Sequence, residues 1–443
     1  MNQTSYYHFL SDYGMAFVLL LLCAFFSVMT WSDQPVTGEA AAMQVAEEIQ
    51  AEFGTKARVL IVARKSEDDA VFAAKLEQKL KEQGVEWVSL VRGQPTDARQ
   101  ALVEAVDKGQ AVDAIACNQV TSTWGVFDSL AKQYPALSQT KRFKPRSYSW
   151  PTFLKAENLL NIANQIAVIA IIAIGMTLVI ITGGIDLSVG SLIALSAIVT
   201  ARLIRDYAGA ESASTMGMIW CSMAGIGVCG LAGMFSGSMV TWFRIPPFIV
   251  TLGLMLVASG LAYIWAEGAS IDRVPTSFVW LGRGADVLQV PNAVLLMLLL
   301  YGVAHVLMSR TMLGRYIYAV GGNMEAARLS GVPIRRVLLL VYTLCGLLAG
   351  LGGVVMASQL KSGAPTYGQM YELYVIAAVV VGGTSLSGGE GKILGTLIGA
   401  FIIAVIQNGM NLTNVESYSQ KVVLGMVILG AVLIDRLKRW NET

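Results

Sequence analysis

Residues 384–392, TSLSGGEGK, crowd three glycines, three hydroxyl side chains and a lysine into one short loop. Main-chain N–H groups in such a loop can close around phosphate. A nucleotide phosphate cradle also needs a lysine and a metal-binding hydroxyl at fixed spacing, GxxxxGK[ST]. Leu386 stands where the first glycine would be, and Ile393 where Ser or Thr would be. The other chemistry-bearing residues are sparse. The only histidines are His8 and His305, with no HExxH, and the five cysteines (Cys23, Cys117, Cys221, Cys229, Cys345) form no CxxC. A zinc site, a disulfide scaffold and metal-assisted hydrolysis are therefore not expected. What remains is a few polar residues in apolar surroundings: Asp186 with Ser188 and Ser191 in ITGGIDLSVGS, Glu372 and Tyr374 in YELYVIAAVVV, and Asn408 and Asn411 after FIIAVI.

The surroundings decide what these residues can do. The chain of 443 residues is 55% hydrophobic and 14% charged, with 44 glycines and a net charge of +2. Soluble domains carry about 25% charged residues, and a near-neutral chain offers no polybasic surface for nucleic acid. Leu386–Glu390 reads almost as LSGGQ, the signature of ABC ATPases. It lies between the apolar runs YVIAAVVV and ILGTLIGAFIIAVI, so it is not expected to bind nucleotide. About ten runs are apolar enough to be transmembrane candidates: 14–31, 165–182, 187–202, 214–235, 247–265, 291–309, 335–357, 372–383, 393–410 and 421–434. GGIDLSVGS interrupts one such stretch and suits a broken helix. A carboxylate there either caps the next helix or faces the transported molecule. For Asn408 and Asn411 the competing reading is hydrogen bonding between helices.

Orientation follows the arginine and lysine bias of short loops. Residues 309–336 carry Arg310, Arg315, Arg328, Arg335 and Arg336, and the C-terminus carries Arg436, Lys438 and Arg439. Both are expected in the cytoplasm. Counting back places the N-terminus inside and residues 32–150 outside, although Arg205 on the outer side runs against the bias. Residues 1–13 hold no Lys or Arg, so the first span is expected to be a retained anchor rather than a signal peptide.

Residues 32–150 have a different composition, with dense charge and alternating strand and helix signals. The expected strands are 58–63, 85–91 and 112–118. The expected helices are 68–84, 96–109 (capped by Thr96) and 123–134, and KRFKPRSYSWP (141–151) is a linker. That is a βαβαβα unit with a small parallel sheet. The overall expectation is an α-helical polytopic membrane protein. It has an N-terminal helix (1–31), an inserted α/β domain (32–150) and a membrane domain (151–443).

Three long motifs resemble the permeases of ribose, xylose and galactose ABC importers: GMTLVIITGGIDLSVGSLIALSAIVTA (175–201), LGRYIYAVGGNMEAARLSGVPIRRV (313–337) and YELYVIAAVVVGGTSLSGGEGKILGTLIGAFIIAVIQNGMNLTNV (371–415). The resemblance covers about 151–437. It implies a translocation subunit, not an enzyme, with no cofactor. It further implies a partner ABC ATPase, a periplasmic or extracellular solute-binding protein and a second permease copy in the bacterial inner membrane. It makes GGNMEAARLSGV the ATPase coupling element, with Gly322, Asn323, Glu325, Ala326, Ala327, Arg328 and Gly331. Asp186, Ser188, Ser191, Glu372, Tyr374, Asn408 and Asn411 become pathway candidates. Tyr374 departs from the acidic residue usual in this family, and the insert departs from its short outer connection. The insert resembles one lobe of the type I sugar-binding proteins, which close two lobes on a ligand; one lobe cannot enclose a sugar, so the resemblance implies docking or regulation rather than capture, with a passive spacer as the alternative. The alternatives are a membrane-anchored solute sensor and an ion-coupled secondary transporter.

Overall fold

The computed structural model describes residues 3–440 apart from Glu86 and Ala111, without the side chains of residues 3–13, Asp68, Ala131 and 434–440. The side chains of Arg436, Lys438 and Arg439 thus lie outside the described residues. The chain forms two compact units: Met1–Thr30 with Phe153–Thr443, and Trp31–Thr152.

The first helix, α1 (Gln3–Met29), belongs to the membrane unit. The second unit then runs β1 (Trp31–Pro35), α2 (Gly38–Phe53), β2 (Arg58–Ala63), α3 (Glu67–Glu82), β3 (Trp87–Arg92), α4 (Pro95–Asp107), β4 (Ala114–Cys117), α5 (Val126–Gln133), β5 (Lys141–Phe143) and β6 (Ser147–Pro151). Its sheet has the order β3-β2-β4-β5, all parallel. Strand alternation splits the core. Val59, Ile61 and Ala63 face α2 and α3, and Leu60 and Val62 face α4 and α5.

Three expectations change here. Residues 141–151 are not a linker: β5 extends the sheet, and β6 pairs antiparallel with β1, setting Trp31 opposite Pro151. Only Phe143 of β5 is buried, too short a pattern to show as a strand. Helix α2 is also additional. Its buried face is mostly alanine (Ala41, Ala42, Ala46, with Val45 and Ile49), which weakens the apolar periodicity. Thr96 does not cap α4. Gln94 is the cap residue, and the Asp97 carboxylate accepts its main-chain N–H at 2.7 Å.

The membrane unit continues with α6 (Ala156–Ile181), α7 (Val189–Tyr207), α8 (Thr215–Trp242), α9 (Pro247–Ala266), α10 (Trp280–Arg283), α11 (Asn292–Arg310), α12 (Met312–Gly322), α13 (Met324–Leu329), α14 (Ile334–Leu360), α15 (Tyr371–Val381), α16 (Ile393–Leu412) and α17 (Ser417–Trp440). Among the described residues, six helices are long and apolar enough to cross a membrane: α6, α8, α9, α11, α14 and α16. Shorter apolar helices occupy Gly14–Met29, Tyr371–Val381 and Ser417–Leu433. Helix α6 is the axis, with 89% of its apolar window buried. Helices α8 and α14 meet at glycines: Gly233 lies against the Tyr342 carbonyl and Gly346 against the Cys229 carbonyl. Such close approach is how helices gain packing where lipid removes the hydrophobic drive. Helix α1 is part of this unit. Phe26 sits on Gly409 of α16 and stacks on Phe153, whose N–H donates to Thr30 Oγ1.

Candidate functional site

Helix α6 stops at a glycine pair. Gly183 N–H donates to Ile180 O and Gly184 N–H to Val179 O, with Gly183 at φ +80°. This is a Schellman ending, which needs a left-handed residue. Helix α15 stops the same way: Gly383 N–H donates to Val380 O and Thr384 N–H to Val379 O, with Gly383 at φ +86°. The two endings meet. Gly389 N–H donates to Ile181 O at 2.8 Å, and Tyr318 Oη of α12 donates to Gly391 O at 2.7 Å. Gly321 of α12 touches the same carbonyl, and a Cβ there would overlap Ile181 O. The SLSGGEG loop is therefore a backbone-to-backbone joint between α6, α12 and the α15–α16 connection.

Helix α13 follows α12 through Asn323, whose side chain accepts Ala326 N–H at 2.9 Å. It ends in the same Schellman form, with Gly331 N–H on Arg328 O and Val332 N–H on Ala327 O. Ala327 is its buried residue. Glu325 and Arg328 pair at 3.2 Å on the exposed face. Gly322 and Asn323 form the connection from α12.

Beyond Gly184 the chain makes a buried turn into α7. Asp186 is fully buried, and its Oδ1 accepts both the N–H (2.9 Å) and the Oγ–H (2.6 Å) of Ser188. Ser188, not Asp186, holds the cap position of α7; Asp186 braces the turn from two residues earlier. Its other oxygen, Oδ2, makes no hydrogen bond among the described residues, and neither does the buried Tyr342 hydroxyl. Buried polar atoms are rarely left so. Tyr342 Oη packs where a Cβ of Gly184 would lie.

Two cavities lie at the ends of this turn. One, of about 220 Å³, is lined by Gly190, Ser191, Ser259, Tyr263, Gln369 and Glu372. Glu372 packs against Gly190, where any side chain would collide with it. Met370, also lining it, sits at φ +69°, a costly conformation outside glycine. The other, of about 890 Å³, is lined by Thr182, Gly184 and Tyr342 and by Arg244, Arg328, Arg335 and Arg336. Arg328 is paired with Glu325, while the other three make no ion pair among the described residues.

The structure thus brings Asp186 to Ser188, and Ser191 to Glu372. Tyr374, Asn408 and Asn411 line neither cavity. Tyr374 packs edge-on against Tyr371. Asn408 and Asn158 exchange amide hydrogen bonds between α16 and α6 at 3.1 and 2.9 Å. Asn411 accepts from Gln420 at 2.8 Å. Tyr342 and Arg244 were not singled out by sequence. The only sign of Tyr342 is a hydroxyl inside an apolar run.

Helices wrapped on a buried axis, with two cavities flanking a polar turn, suit a membrane permease. The family described as branched-chain amino acid transport system / permease component matches residues 158–432, and the chain belongs to it. That match leaves the α/β unit outside. The chain is 44% identical over 293 residues to the ribose import permease protein RbsC of Escherichia coli K12, covering 65% of this chain and 88% of the relative. The Bacillus subtilis RbsC is also 44% identical, over 290 residues (65% and 87%). The D-allose transport system permease protein AlsC of E. coli K12 is 37% identical over 285 residues (64% and 85%). No solved structure matches.

Proposed function

We propose that the protein is the translocation subunit of an ABC importer for a monosaccharide, with ATP hydrolysis on a separate subunit. Similarity to sugar permeases over most of their length supports the solute class. It outweighs the amino-acid wording of the family description, because the named relatives import ribose and allose. The partners are an ABC ATPase, a solute-binding protein and a second permease copy. The termini are cytoplasmic, Trp31–Thr152 is extracytoplasmic, and ten helices, α7 and the short α15 included, build the membrane domain. The α/β unit helps dock the binding protein.

The observation that carries the mechanism is the glycine joint. Helix α13 is the ATPase lever, and α12 links it to the end of α6. The turn from Gly184 to Gly190 then separates an inner cavity from an outer one. In this reading the structure is closed. Asp186 and Tyr342 lie buried at this turn, Asp186 beside the Cys345 thiol, until ATPase movement opens the turn to solute hydroxyls or water. The inner arginines give the ATPase docking face a positive potential.

Uptake in proteoliposomes containing the ATPase and binding protein tests this. Uptake persists with an uncoupler while ATP is maintained, and stops when ATP is removed. Uptake that collapses with the ion gradient alone would establish the secondary-transporter alternative instead. The double variant Glu325→Ala/Arg328→Ala inserts normally but loses ATPase assembly or coupling. Normal uptake with normal ATPase binding would remove α13 from that role.

A further inference from the structure

The Trp31–Thr152 unit gathers its exposed aromatic rings in one place. Among its described residues, the large apolar side chains left exposed are Trp31, Met43, Val71, Val120, Tyr148 and Trp150. All three aromatic ones lie on the ribbon of β1 and β6, which is separate from the four-stranded sheet. Trp31 is 60% exposed, Tyr148 50% and Trp150 45%. Tyr148 and Trp150 are two residues apart on β6, so both rings stand on one face of the ribbon.

A two-stranded ribbon is marginal by itself in water. Polar bonds stiffen this one from within. Gln34, 5% exposed, donates from Nε2 to Ser32 Oγ at 2.8 Å and to Thr152 Oγ1 at 2.9 Å. The aromatic rings are left facing outward, and chain connectivity says what they meet. Trp31 comes two residues after Met29, the end of α1, and Pro151 five residues before Ala156, the start of α6. Helix α6 is long and apolar enough to cross a membrane. The last turns of α1 keep Phe25, Val28 and Met29 exposed, as side chains that face lipid are. The ribbon is therefore rooted between the ends of two apolar helices.

Its composition changes with height. The first two pairs, Trp31–Pro151 and Ser32–Trp150, carry no charge, and the third, Asp33–Ser149, brings the first one. At about 3.4 Å per residue the third pair stands about 7 Å along the ribbon from the first. The headgroup layer is about 5–8 Å deep on each side of the hydrocarbon. Trp and Tyr concentrate there because an apolar ring with one N–H or O–H suits a zone that is apolar below and wet above. We propose that the ribbon is a lipid-interface anchor. Trp31 and Trp150 sit among phospholipid headgroups, and Tyr148 reaches their outer rim. This goes beyond the transport reading: neither the solute nor the side of the membrane enters it.

The test is fluorine NMR of the full chain labelled with 5-fluorotryptophan, one copy per nanodisc of phosphatidylethanolamine and phosphatidylglycerol. Trp31→Phe and Trp150→Phe assign the two native signals. Ser147→Trp, with wild-type melting, adds a reporter at the far end of the ribbon. A lipid with a headgroup nitroxide is expected to broaden Trp31 and Trp150 at least about fivefold more than the Ser147→Trp reporter, which lies about 10 Å further along the strand than Trp150. Equal broadening of all three, weak or strong, overturns the anchor. A Trp150 signal broadened by a water-soluble gadolinium chelate and not by the lipid places that face in water and also overturns it. A Trp150 signal reached by neither is covered by protein, and if it is reached by neither only in discs holding two copies, the face belongs to a second copy; either result overturns the proposal. None of these outcomes bears on ATP-driven uptake, so the two readings fail separately.

Discussion

Gly399 of α16 presses so close to α15 that a methyl group there would overlap the Ala378 carbonyl, whereas Leu60 and Ile61 of β2 fill opposite faces of their sheet with full side chains. The contrast follows from the surroundings. The sheet unit gains stability by taking apolar area out of water, about 25 cal/mol per Å². Helices in lipid gain little that way and depend on close backbone approach and interhelical hydrogen bonds. In the membrane unit, then, polar atoms and small residues hold the machinery. In the sheet unit bulk apolar burial does.

The sharpest way to break this contrast is at Asp186. Asp186→Ala leaves the buried Ser188 N–H and hydroxyl without their acceptor, a loss of about 2–4 kcal/mol. Detergent melting shows it as reduced stability or failed insertion. Asp186→Asn keeps the acceptor and folds, but its amide can donate to Tyr342 and lock the turn, so uptake falls. An alanine variant as stable and active as wild type would remove the turn from the account.

Glycines give the next largest effect. Gly399→Ala is expected to cost about 1–3 kcal/mol through forced separation of α15 and α16. Gly253→Ala on the exposed face of α9, with nothing near its Cβ, is expected to gain about 0.4–1 kcal/mol. Equal effects in paired melting curves would show that helix propensity, not contact, governs these sites.

Legibility in sequence divides along the same line. Helices were visible because hydropathy is a property of long runs: a helix overlaps each expected window, and among the described residues six helices are long and apolar enough to cross a membrane. The loop that holds Met324–Leu329 was visible from its arginines. Strands β2, β3 and β4 were visible as short apolar runs between helical stretches, while β5 buries too little to show. The joint was not legible, because glycine has no side chain by which to declare its neighbour. Nothing in SLSGGEG says that Gly389 donates to Ile181, 208 positions earlier by residue number. Asn408 was legible as a helix-to-helix hydrogen bonder but not as the partner of Asn158.

That pair gives a smaller effect. Asn408→Ala is expected to cost about 0.6–1.7 kcal/mol and to leave the solute KM unchanged. A changed KM would return Asn408 to the pathway.

The smallest effect appears only in acid. Burial pushes the Asp69 carboxyl up, but hydrogen bonds from the Arg64 side chain and main-chain N–H and from Asn118 outweigh it, holding its pKa below the ordinary 3.8. Asp69 therefore stabilises the sheet unit fully above pH 3.8, and that contribution fades as pH falls through the lower folded value. Hydrogen exchange of β2–α3 peptides, corrected for intrinsic rates, should loosen in that window. Asp69→Asn should remove the pH dependence. Identical profiles for variant and wild type would show that Asp69 carries none of it.

The central claim is that α13 drives the Asp186 turn through the glycine joint. Gly321→Ala tests it most directly, in proteoliposomes where ATP hydrolysis and sugar uptake are recorded together, on protein shown to be inserted and monodisperse. The account predicts that hydrolysis continues while uptake per ATP falls at least about tenfold, a loss of about 1.4 kcal/mol in coupling. Unchanged uptake per ATP would contradict it.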